Sequence, residues 1–130
     1  MVFDDPATLA EVEAAFAAYE AALVGNDVAA LDAFFWRDER AIRYGGGENL
    51  YGHAAIAAFR AARPAAGLAR TLERTVVTTF GTGFATASTL FRRDGSPASV
   101  GRQMQSWARF PEGWRIVAAH VSSIPAPGSG

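Results

Sequence analysis

Residues 99–122 read Ser-Val-Gly-Arg-Gln-Met-Gln-Ser-Trp-Ala-Arg-Phe, then Pro-Glu-Gly, then Trp-Arg-Ile-Val-Ala-Ala-His-Val-Ser. Pro111-Glu112-Gly113 is turn chemistry between two long strands, Ser99–Phe110 and Trp114–Ser122. Working back from them, Asp94-Gly95 is a hairpin signal that ends a strand over Phe84–Arg92. Gly81-Thr82-Gly83 separates that strand from Arg70–Phe80, which is rich in Thr and Val. Four consecutive β segments with short turns make an antiparallel meander.

The upstream half has helical spacing instead. Leu9, Val12, Phe16, Tyr19 and Leu23 recur every three or four residues, one face of an amphipathic helix. Asp5 before Pro6 offers one N-terminus, and Thr8 with Glu11 offers a slightly later one. Gly25 ends the helix. Asn26 or Asp27 caps a short second helix carrying Val28, Leu31 and Phe35. Arg40–Tyr44 is β-like until Gly45-Gly46-Gly47 stops it. A third helix is predicted from about His53 to Arg63, with Ile56 and Phe59 inward, because Pro64 disfavours helix just before it. The order α-α-β-α-β-β-β-β is α+β. A long twisted sheet can curl into a cone, with three helices covering one end and a pocket between sheet and helices.

The 130 residues suit one domain, 1–130, with a Gly/Pro/Ser tail at about 125–130 expected to be mobile. Twelve basic and 13 acidic side chains leave a net charge of −1, which gives no general drive toward nucleic acid or an anionic membrane. Absence of cysteine excludes thiol nucleophiles and Cys-ligated metals. Every basic residue is Arg, so Schiff-base lysine chemistry is excluded too. No apolar run approaches the ~20 residues of a membrane span, and no signal pattern opens the chain. A cytoplasmic protein is expected.

Two blocks of residues resemble something more specific. The first holds Phe34-Phe35-Trp36, Ile42-Arg43-Tyr44-Gly45, Glu48-Asn49-Leu50-Tyr51-Gly52, and Ile56 with Phe59-Arg60 and Arg63. The second holds Gly101-Arg102-Gln103, Gln105, Trp107 and Gly113-Trp114-Arg115-Ile116 through His120-Val121-Ser122. Together they resemble the AtzH-like family, also labelled HpxZ of oxalurate catabolism, within the SnoaL-like (nuclear-transport-factor-like) cone folds. The resemblance spans roughly residues 6–124, and the Arg-Tyr-Gly…Glu-Asn-Leu-Tyr-Gly block is its most specific part. It implies a metal-free, cofactor-free, decarboxylating amidohydrolysis of a small carboxylated urea or ureide in nitrogen catabolism. It also implies a pocket Tyr and Arg, which map onto Tyr19 and Arg43. Met104 departs from the pattern, where a small polar residue is expected.

The residues carry alternatives. Arg43 faces either solvent or the pocket, where a planar guanidinium would hold a carboxylate by two parallel hydrogen bonds. Tyr19 is either a core aromatic or a proton donor to a leaving nitrogen. Gln103, Gln105 and Trp107 share one strand face, opposite Met104 and Ser106, and alternation does not say which face lines the pocket. Phe35, Trp36, Tyr44 and Phe59 are core or pocket wall. His120 is a half-buried structural histidine or a pocket polar group. His53 and His120 lack a carboxylate cluster of metal-ligand spacing. Glu48 and Asn49 read as a polar loop.

Two classes of function compete: an amidohydrolase with Arg43 anchoring and Tyr19 as acid/base, and a non-catalytic carboxylate-binding or amidase-accessory domain. An isomerase or dehydratase is a third. The ligand expected is a small anionic ureide. The helices cover only one sheet face, so a homodimer through the outer face is expected.

Overall fold

The computed structural model describes residues 1–127. Helix α1 (Pro6–Val24) begins at Asp5, whose carboxylate accepts from the Thr8 backbone N–H at 3.1 Å and from its hydroxyl at 2.8 Å. Of the two starts the sequence offers, the chain uses Asp5-Pro6, where the fixed φ of proline suits the first turn. Glu11 is thereby released from a capping role, and its carboxylate accepts from the Trp114 indole N–H at 3.0 Å. Helix α2 (Val28–Phe34) is capped by Asp27, which accepts from the Ala30 N–H at 3.2 Å.

Next come β1 (Ile42–Tyr44) and β2 (Asn49–Tyr51), then α3 (His53–Ala62). Strand β2 is an addition to the sequence reading: a turn closed by Gly45 N–H to the Glu48 carbonyl at 2.9 Å makes a hairpin of the segment read as a loop. Long strands β3 (Arg70–Phe80), β4 (Phe84–Arg93), β5 (Ser99–Phe110) and β6 (Gly113–Pro125) complete an α+β fold. The order across the sheet is β2-β1-β6-β5-β4-β3, antiparallel apart from the parallel β1–β6 pair. The sheet curves without closing, and the helices cover one of its faces.

Of the tail expected from about 125, Pro125 ends β6 and Ala126 is buried, its N–H donating to the Ala98 carbonyl at 2.8 Å. Residues 128–130 of that expectation lie outside the described residues. No described helix is long and apolar enough to cross a membrane.

Val12, Phe16, Tyr19 and Leu23 of α1 pack with Leu31 and Phe35 onto Ala85, Ala87, Trp107, Ile116 and Ala119 of the sheet. Burying each large side chain in this core stabilises the fold by about 1.5–3 kcal/mol. One irregularity decides which β6 residues join it. Trp107 pairs with Ile116 but Ser106 pairs with Ala118, so Val117 is an extra residue. Such a bulge shifts the alternation by one. Trp114 and Ile116 point inward, then Ala119 and Val121 do, while Ala118 and His120 turn to the outer face.

Candidate functional site

Tyr19 is placed by the α1 stripe and is buried, its ring edge-on to Phe34, Phe35 and Trp107 at centroid distances of 5.9, 6.3 and 6.3 Å. Its hydroxyl oxygen accepts from Arg60 Nη2 at 2.5 Å. Arg60 follows Ile56 by one helical turn on the inner face of α3 and is 1% exposed. Its guanidinium carbon lies 5.3 Å from the Phe35 ring centroid and 5.6 Å from that of Tyr19. Its Nε and Nη1 are buried without a hydrogen-bond partner. Arg63 continues the same face, with Nη2 donating to Asn26 Oδ1 at 3.3 Å and Nε buried and unpartnered. Burial lowers the affinity of Arg63 for its proton, and the charge of Arg60 lowers it further, followed by smaller contributions from Arg43 and Arg93.

Arg70, at the start of β3, reaches back to α1. Its Nε and Nη2 donate to the two Glu20 oxygens at 2.8 and 2.6 Å, and Nη2 also donates to Gln103 Oε1 at 3.0 Å. Phe91 is flanked by two guanidinium groups, Arg70 at 4.3 Å and Arg93 at 5.6 Å from its centroid. Burial, then Arg70 and Arg43, depress the proton affinity of Arg93. Gln103 is buried, and its Nε2 has no partner.

Arg43 on β1 pairs in register with Ala119, which pairs with Gln105. Two strand spacings, about 10 Å, thus separate Arg43 from Gln105 with only a methyl between them. Arg43 Nη1 donates to Glu48 Oε1 at 2.9 Å, and its guanidinium lies 5.2 Å from the Phe59 centroid. Gly45 makes that ion pair possible, because a Cβ there would overlap the Glu48 carboxylate. Nearby, a cavity of about 270 Å³ is lined by Gly46, Phe91, Arg93, Ser99, Gly101 and Ser122 among others.

Five guanidinium groups (Arg43, Arg60, Arg63, Arg70, Arg93) therefore share one region with two carboxylates, Glu20 and Glu48. The excess of positive charge and the idle donors suit a small anion rich in acceptor oxygens. Among the described residues, no group of three His, Asp or Glu side chains could hold a metal ion.

Of the residues singled out in the sequence, Tyr19, Arg43, Phe35, Phe59, Gln103, Gln105 and Trp107 lie on this inner side. The Trp107 indole N–H donates to Gln105 Oε1 at 3.1 Å, so the Gln103-Gln105-Trp107 face is the one turned to the helices. Three others lie elsewhere. Tyr44 is on the outer face, its hydroxyl 3.0 Å from that of Tyr51 and its ring edge-on to His120 at 6.2 Å. His120 is exposed there because the bulge turns it away from the Ile116 side. Trp36 stacks on Phe110 at 5.6 Å, at the other end of β5 from Gln103, with Arg40 over it at 4.7 Å. Arg60, Arg63, Arg70, Arg93, Glu20 and Glu48 were not singled out as site residues. The signal for Arg60 and Arg63 was their spacing of four and seven from Ile56.

A family model described as AtzH-like matches residues 1–127. A protein of unknown function of the DUF3225 family from Pectobacterium atrosepticum superposes with a TM-score of 0.92 at 60% identity, over 94% of each chain. A cystatin-like fold protein from Burkholderia xenovorans superposes at 0.93 with 50% identity, over 98% of this chain and 99% of that one. An NTF2-like protein of unknown function from Pseudomonas putida shares the fold, with a TM-score of 0.75 at 18% identity over 89% and 86% of the two chains. No curated protein matches.

Proposed function

Since this chain belongs to the AtzH-like family, we propose that it is a cofactor-free hydrolase of a small carboxylated urea or ureide in nitrogen catabolism. The observation that carries this reading is the buried phenol of Tyr19 held 2.5 Å from a guanidinium, in a region where cations outnumber carboxylates. Arg43 holds the substrate carboxylate, using donors not spent on Glu48. Water adds to the adjacent carbonyl carbon and the C–N bond breaks. The leaving nitrogen takes the Tyr19 hydroxyl proton, and the tyrosinate recovers one from the water that added. A carbamate fragment so released takes up a proton and loses carbon dioxide, leaving an amine.

The protein works in the cytoplasm as a homodimer joined through the outer sheet face, where Met104 is 62% and Val76 56% exposed. Exposed apolar side chains of that kind favour a protein contact. The direct test incubates the protein with carboxylated ureas and follows ammonia and carbon dioxide. Turnover supports the reading. Calorimetric binding of the same compounds without turnover replaces it with a carboxylate-binding domain.

A further inference from the structure

Two buried arginines in this site are treated differently by the fold. The Arg70 side chain is 2% exposed and ion-paired, with Glu20 on two of its nitrogens and Gln103 on one of them. Arg60 is as deeply buried but, among the described residues, has one hydrogen bond, to the Tyr19 hydroxyl, and no carboxylate within ion-pair distance. A guanidinium carries five N–H donors. Burying that charge with donors idle is costly, and the faces of Phe35 and Tyr19 compensate only in part. A purely structural position would favour an apolar residue of the same volume.

We propose that Arg60 is a further catalytic residue of this site, beside Tyr19 and Arg43. Its Nη2 fixes Tyr19, and its Nε and Nη1 N–H groups receive an anionic oxygen of the ligand. The direction of the Tyr19 bond supports the first role. A guanidinium cannot accept, so the hydroxyl oxygen is the acceptor and the phenolic hydrogen is left to point at another group. Once that hydrogen is given away, the tyrosinate faces a cation. The idle donors support the second role, since donors already oriented in a dry site stabilise charge that develops on an oxygen. The catalytic part rests on the hydrolytic reading above; the binding part does not.

The experiment compares the parent with Arg60→Met and Arg60→Lys, reading melting temperature, calorimetric affinity for oxalurate, oxalate and malonate, and turnover of carboxylated ureas. Arg60→Met is expected to melt at or above the parent temperature, because an unpaired buried charge has gone, while anion affinity falls at least 30-fold. Arg60→Lys recovers part of the affinity. In a Tyr19→Phe background, Arg60→Met lowers kcat by a smaller factor than the tenfold or more expected with Tyr19 present, because the part that acts through Tyr19 is already lost. Equal anion affinity in parent and Arg60→Met overturns the proposal, and so does a parent that binds none of the three anions. A large drop in melting temperature with affinity retained shows a structural role and also overturns it. If the parent binds anions but turns nothing over, the hydrolytic reading fails and Arg60 is judged on affinity alone. If Arg60→Met turns over at the parent rate, Arg60 fails and the hydrolytic reading stands.

Discussion

Gly101→Ala tests the packing beneath the cavity. Gly101 pairs with Phe91 across β4 and β5, and a Cβ at Gly101 would lie inside 3.0 Å of three atoms of the Phe91 ring. Ordinary contact begins at 3.4 Å, so the ring has to withdraw by more than about 1 Å. It cannot do so freely, because Arg70 and Arg93 flank it. Overpacking of this kind costs about 1–3 kcal/mol. In a domain of this size that is a fall in melting temperature of roughly 4–12 °C. Each cation–π contact contributes about 0.5–2 kcal/mol, so displacing both guanidinium groups should weaken anion binding by about tenfold. Thermal melts and calorimetric titration with oxalurate read the two effects. Adding Phe91→Leu, which removes the overlapping ring atoms, is expected to restore the melting temperature but not the affinity. A Gly101→Ala protein that melts within 1 °C of the parent would refute the reasoning, since the ring would then be free to swing away.

Arg43→Ala should lower kcat/KM for an anionic ureide by about 30-fold or more, with Arg43→Lys recovering only part because an ammonium lacks the planar fork. Tyr19→Phe should lower kcat and leave KM near the parent value, read from steady-state kinetics. Asp5 and Asp38 are both held below the ordinary carboxylate range, Asp5 by its bonds from Thr8 and Asp38 by those from Arg40, which bring it to about 2. Their stabilisation is present above the ordinary value of 3.8 and is lost as pH falls from there toward 2, so melts across that range should decline less steeply in Asp5→Asn. Scattering should give twice the monomer mass, and Met104→Glu should shift it toward the monomer; a parent that scatters as a monomer at micromolar concentration refutes the dimer.

Helix α1 was legible because its buried residues keep one spacing: Val12, Phe16, Tyr19 and Leu23 are all in the core. The four long strands were legible from the turn residues between them. Strand β2 was not, because three residues are too few to show alternation and a run of glycines precedes them. The inward face of β5 was undecided in the sequence, where alternation gives two faces without a label. His120 shows how a single residue defeats the rule. Counting by twos from Trp114 and Ile116 carries the inward face to His120, and only the pairing with β5 reveals the extra residue at Val117.

The site divides along the same line. Tyr19 was readable because its position lies on a periodic apolar stripe. Arg60 has the same periodic evidence, four residues after Ile56, but the general preference of arginine for solvent argues against burying it. The preference yields here because α3 packs this residue against the Tyr19 hydroxyl and the Phe35 ring, which provide one acceptor and one π face. Glu20 and Arg70 lie fifty residues apart and meet only when α1 packs on β3, so nothing local announces them. The bulge that misdirects the reading of His120 also matters for the site. By carrying the inward face to Ala119 and Val121, it keeps the His120 imidazole off the floor between Arg43 and Gln105, where a methyl stands instead. The irregular residue of β6 is thus the one that fits a regular sheet to a site needing space beside a guanidinium.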